Sequence, residues 1–124
     1  MIRSIDPILD QWKNSEVRQP LLVRGARQVG KTSSVLDFGK RAFENTVWVN
    51  FEERPELSHC FSDFDIKAIL DRISILSRET LIPGKTLLFL DEIQECPKAI
   101  TALRYFYEKC PDLHVIGAGS LVEF

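Results

Sequence analysis

Two short stretches of this chain carry chemically able residue types at a telling spacing. The first, Gly25-Ala26-Arg27-Gln28-Val29-Gly30-Lys31-Thr32, satisfies G-x-x-x-x-G-K-[ST] at every fixed position, and Ser33 follows it. Glycines let the backbone turn sharply and come close to a ligand. Successive N–H groups from Gly25 to Ser33 then line an anion-binding concavity. A helix opening near Lys31 adds the positive end of its dipole. In this pattern, known as Walker A, Lys31 reaches the β- and γ-phosphates of a nucleoside triphosphate, and the Thr32 hydroxyl ligates Mg²⁺.

The second stretch is Thr86-Leu87-Leu88-Phe89-Leu90, an apolar run that ends on Asp91-Glu92. A buried parallel strand delivers its last residues to the carboxyl edge of the sheet, where ligands bind. Asp91 would hold Mg²⁺ there, through a water shell that this ion gives up reluctantly. Glu92, about 3 Å further along, would orient or deprotonate an attacking water. Taken alone, an Asp-Glu pair is a polar strand end; joined to the phosphate loop it reads as a Walker B metal and water site. The glutamate also narrows the class. No N-K-x-D sequence is present, and the third residue after Asp91 is Gln94 where a GTPase-type switch would have glycine. A small-molecule kinase seldom needs a glutamate directly after its metal-binding aspartate. These features favour an ATPase.

The elements that must position these groups are legible as apolar patterns. Residues 3–14 read as a short helix with Pro7 in its first turn and Ile8, Leu9 and Trp12 on one face. Leu21-Leu22-Val23 is a first strand and residues 31–43 a helix with Val35, Leu36, Ala42 and Phe43 inward. Thr46 to Phe51 is a strand rich in β-branched and aromatic residues, broken at Arg54-Pro55. Residues 64–78 carry the stripe Ile66, Ile69, Leu70, Ile73 and Leu76, and Pro97 opens a helix to about Lys109 with Ile100, Leu103, Phe106 and Tyr107 inward. Leu113 to Ala118 is the last strand. The order β-α-β-α-β-α-β with continuous apolar strands predicts an α/β fold, a parallel sheet covered by helices on both faces. The Gly117-Ala118-Gly119 phrase is no dinucleotide fingerprint, because no helix with a ribose-binding acid follows; it reads as close approach near the phosphates.

Bulk properties bound the rest. A chain of 124 residues with 44% hydrophobic content has room for one self-sufficient domain, residues 1–124. A net charge of −2 provides no strong field for nucleic acid or an anionic membrane and leaves a nucleic-acid role undetermined. No apolar run approaches the roughly 18 residues of a membrane helix. Cys60, Cys96 and Cys110 are odd in number and unpaired by spacing, which suits a reducing cytoplasm and buried thiols. His59 beside Cys60 lacks zinc spacing, and His114 reads as a core or edge residue.

The phrases PLLVRGARQVGKT, VNFEE, TLLFLDEIQECP, ALRYFYE and GAGSLVEF, in this order, resemble prokaryotic AAA-superfamily ATPases whose second half is a domain of unknown function. The resemblance runs from Arg3 to Phe124. It implies a three-layer P-loop NTPase fold of the additional-strand, catalytic-glutamate type, with sheet order 5-1-4-3-2. It implies ATP and Mg²⁺ as cofactors, Gly25 to Thr32 as the phosphate loop, Asp91 and Glu92 as the magnesium and water-activating pair, and Ser120 as the polar group sensing the γ-phosphate. It also suggests that Asn50 restrains Glu92, although Asn50 suits capping a strand end equally well.

Only four of the five strands are found, in the order 1-4-3-2, so the chain reads as the front of a longer protein whose fifth strand follows Phe124. The edge left on the first strand is expected to be covered by another chain, a swapped segment or a crystal neighbour, self-association included, and the C-terminal region of the parent chain is a further expected partner. Arg24, Arg27 and Arg104 are present, but nothing in the sequence places an arginine at the γ-phosphate. The expected activity is Mg²⁺-dependent ATP binding and hydrolysis that drives or gates the missing region, with slow turnover in this chain by itself. The alternatives are a nucleotide-occupancy switch and, further off, a small-molecule phosphotransferase.

Overall fold

The computed structural model describes residues 6–15, 19–24 and 30–119. Residues 25–29 of the phosphate loop and Ser120 lie outside this set. The elements run α1 (Asp6–Lys13), β1 (Leu21–Arg24), α2 (Lys31–Ala42), β2 (Asn45–Asn50), a 3-10 segment (Pro55–Phe61), α3 (Ile66–Ser77), β3 (Thr86–Asp91), a short 3-10 turn (Ile93–Glu95), α4 (Pro97–Lys109) and β4 (His114–Gly119).

The four strands are all parallel and stand in the order β1-β4-β3-β2, so the fold is α/β of the P-loop NTPase type. In β3 and β4 every residue is buried, because both faces are covered. Alternation splits each strand between two cores. Leu87 and Phe89 of β3 meet Ile116 and Ala118 of β4, Val35 and Phe38 of α2, and Leu9 of α1. Leu88 and Leu90 face the other way, with Val47, Val49 and Val115, onto α3, α4 and the Pro55–Phe61 segment.

The helix stripes differ in detail from the sequence pattern. Phe38, absent from the predicted face of α2, is fully buried, while Phe43 is half-buried and edges against Phe38 and His114. Gly39 lets α2 sit close on the sheet: a methyl there would collide with Thr46 Oγ1 and press on Leu87. The α3 stripe fades at Leu76, which is exposed. No periodicity marks Pro55–Phe61, yet Leu57, Cys60 and Phe61 are buried and cap one core. His114 is buried at the start of β4, between the rings of Trp12 and Phe43, as a core residue. At Gly117 the absent side chain makes room for Ile93 and Leu22, which makes that glycine a packing device on the α4 face. Among the described residues β1 pairs with β4 alone, and its three apolar side chains are half-buried, as befits an edge.

Candidate functional site

Two helical and strand ends converge at the carboxyl rim of the sheet. Gly30 holds φ 73°, a left-handed conformation that a side chain would strain, and its carbonyl accepts the Ser34 N–H at 3.0 Å to start α2. Lys31 and Thr32 therefore occupy the first turn. Gly30, the residue before that turn, makes no side-chain cap, and the first turn of a helix is a place suited to an anion. Lys31 is buried, with 5% of its surface exposed.

Thr32 and Asp91, 59 positions apart in sequence, touch: the threonine hydroxyl donates to Asp91 Oδ2 at 2.9 Å. The contact exists because α2 packs its Val35 and Phe38 over Leu87 and Phe89 of β3, the face on which Asp91 lies two residues further on. Asp91 is wholly buried. Its Oδ1 accepts the Glu92 N–H at 2.9 Å, and its Oδ2 also accepts the indole N–H of Trp48 at 3.0 Å. Three neutral donors thus meet one carboxylate.

Directly after Asp91 the chain leaves the strand through a left-handed residue. Glu92 has φ 50° and ψ 47°, a conformation that costs a non-glycine residue about 1–2 kcal/mol. It is held by the 3-10 turn that follows, where Glu95 N–H bonds the Glu92 carbonyl at 3.0 Å, and by the anchoring of Ile93 in the core. Glu92 stays on the rim, 7% exposed, and its Oε1 accepts the Gln94 side-chain N–H at 2.8 Å.

Asn50 makes no hydrogen bond to Glu92 among the described residues. Its carboxamide oxygen accepts the N–H groups of Glu52 and Glu53 at 2.9 and 3.1 Å, which makes it the cap of the β2 end. Gln94 is one hydrogen-bond partner of Glu92, just past the residue where the backbone reverses. Arg104 sits on α4, with its guanidinium 3.1 Å from the Tyr105 hydroxyl and 4.0 Å from Glu108. The side chains of Arg24 and Arg27, the loop residues Gly25, Ala26, Arg27, Gln28 and Val29, and Ser120 lie outside the described residues.

Trp48 and Gln94 are the rim residues that motif reading missed. A signal for Trp48 exists in the strand register, since Trp48 pairs with Phe89 and so lies diagonal to Asp91 on the same face. The cysteines take no part: burial pushes the thiols of Cys60 and Cys96 above the ordinary value of 9.0, and both sit in the apolar core on the other face. Among the described residues no helix is long and apolar enough to cross a membrane.

A family profile described as an AAA domain matches residues 17–124. No curated protein matches the chain, and no solved structure does.

Proposed function

This chain belongs to the AAA domain family, and from that premise we propose that it binds ATP with Mg²⁺ at the carboxyl rim of its sheet and hydrolyses it. The observation that carries the reading is Asp91, a carboxylate wholly buried, met by neutral donors, and in contact with the hydroxyl of the phosphate-loop threonine. Buried charges are paired or bind metal. The donor set fits the ion: a carboxylate and a hydroxyl are hard oxygens, and Mg²⁺ is held by one or two carboxylates together with substrate phosphates. Bound there, Mg²⁺ would neutralise charge on the transferring phosphoryl group.

The chain's own residues divide the remaining work. The N–H groups from Gly25 to Ser33 hold the phosphates, and Lys31 offers its ammonium to the β- and γ-phosphates. Thr32 and Asp91 hold the ion. Glu92 takes a proton from the attacking water, a task worth about 10²–10⁴-fold in rate. Ser120, just past β4, contacts the γ-phosphate. Residues 1–124 act as one ATP-binding domain in the cytoplasm. Its cycle gates or drives a C-terminal region, and that region or a second copy pairs with the open β1 edge. An arginine from such a partner would complete the charge set, a group worth about 10³–10⁵-fold in rate.

A second reading, a switch that signals by occupancy, is favoured by one contact. The Glu92–Gln94 hydrogen bond engages the carboxylate that hydrolysis needs. Two variants test the readings. Lys31→Ala is expected to abolish nucleotide binding by calorimetry, and unchanged affinity would remove the basis of both. Glu92→Gln is expected to keep ATP bound while phosphate release falls about 10²–10⁴-fold; an undiminished rate would remove Glu92 from catalysis, and a wild type that binds ATP without measurable phosphate release would leave only the switch.

A further inference from the structure

The Asp91 carboxylate has a neighbour that neither motif contains. Trp48 comes from β2, the adjacent strand, and gives its Nε1–H to Asp91 Oδ2, the same oxygen that takes the Thr32 hydroxyl. We propose that Trp48 is a positioning residue for the cation site, its indole N–H fixing the Asp91 carboxylate so that one acceptor position remains for the metal's water shell. The inference rests on the reading of Asp91 as the magnesium-holding group.

Three observations support it. A carboxylate offers about four acceptor positions. Backbone Glu92, Thr32 and Trp48 fill three of them, which leaves one. An indole N–H is a donor only, so Trp48 restrains the carboxylate without competing with it for a cation. The side chain is also turned against its easiest option. Trp48 is 40% exposed, on an edge strand, with its ring lining an open groove of about 710 Å³ beside Ser33, Asp37 and Lys40 of α2. A ring so exposed could give its N–H to water, yet the N–H points inward to the rim. The second tryptophan, Trp12, bonds the backbone carbonyl of Gln19, an ordinary structural partner.

Residues that orient a metal ligand typically contribute about 10–100-fold in metal affinity. Trp48→Phe keeps an aromatic ring on the edge and removes only the donor. ATP binding is titrated with Mg²⁺ in wild type and variant, and again in EDTA. The expected result is that the Mg²⁺ concentration for half-maximal effect rises about 10–100-fold in the variant, that affinity in EDTA is unchanged, and that phosphate release recovers at saturating Mg²⁺. Superimposable Mg²⁺ curves would overturn the inference, as would an equal loss of affinity with and without the metal, which marks a structural role. A wild-type protein with no Mg²⁺ dependence would instead defeat the reading of Asp91, and this inference with it.

The unmodified protein provides a second measurement should the variant fail to fold. The Trp48 indole N–H is expected to exchange with solvent at least about tenfold more slowly than a free indole, since a hydrogen-bonded donor must open before it exchanges. Its nitrogen-15 resonance is expected to move when Mg²⁺ and ADP are added. A freely exchanging resonance that ignores both additions overturns the proposal.

Discussion

The two ends of β3 are each closed by a fully buried polar residue, Thr86 at the start and Asp91 at the finish, and they are built on opposite principles. The Thr86 hydroxyl donates to Asn45 Oδ1 at 2.7 Å, lies 3.3 Å from the Thr80 carbonyl, and accepts the Ile82 N–H at 3.0 Å. Every partner is neutral, the hydroxyl's single proton is committed, and the group carries no charge. That end is a structural knot, tying β2, β3 and the turn before β3 together. Asp91 is a carboxylate among neutral donors, so its group carries charge and one acceptor position to spare. Burial alone therefore does not mark a functional polar group; the bookkeeping of donors, acceptors and charge does.

Substitutions at the two ends should diverge. The largest effect is expected from Asp91→Asn, which keeps the shape and removes the charge: the Mg²⁺-dependent part of ATP affinity should fall about a hundredfold, within the range for losing one partner of a buried charge contact. Calorimetry with and without Mg²⁺ reads it, and an unchanged metal dependence would make Asp91 as structural as Thr86. Thr86→Val should do the reverse. It strands the Ile82 N–H and Asn45 carbonyl oxygen, so thermal or urea unfolding should show a loss of about 1–3 kcal/mol, with ATP affinity unaltered. A Thr86→Val protein of native stability and weak ATP binding would erase the contrast.

The smallest effect sharpens the comparison by locating alkaline sensitivity away from both ends. Burial raises the Cys60 and Cys96 thiols above 9.0, the value to which they return on unfolding. A raised folded value means that the stability is fully present below about pH 9 and falls as pH climbs past it, while the unfolded chain ionises first. Unfolding midpoints measured from pH 7 to 10 should decline only above about 9, with the same slope in wild type and Thr86→Val. Replacing both thiols by alanine should flatten the decline.

The two halves of the site were unequally visible in the sequence. The fold was legible because parallel strands covered on both faces must be continuously apolar, as β3 and β4 are. The helix start at Lys31-Thr32 and the strand end at Asp91-Glu92 were legible because each is a few consecutive residues at the end of one element. What the sequence concealed depends on register and on backbone reversal. Trp48 reaches Asp91 only through the pairing of Trp48 with Phe89 across two strands. Gln94 bonds Glu92, and Asn50 does not, beside a left-handed Glu92 that no propensity favours in a glutamate. Pro55–Phe61 buries three side chains without any repeat that would announce them.

The central claim is a matter of place: a metal–nucleotide complex sits at the rim where β3 finishes. The chain's two tryptophans mark opposite rims. Trp48 touches Asp91, whereas Trp12 packs against His114 at the start of β4, which pairs with Leu87, four residues and so about 13 Å back along the strands from Asp91. Substoichiometric Mn²⁺ with ATP, standing in for Mg²⁺, can be followed by its paramagnetic broadening of the two indole N–H resonances. Loss of the Trp48 signal while the Trp12 signal persists is the predicted result. Equal broadening of both, or earlier loss of Trp12, would contradict it.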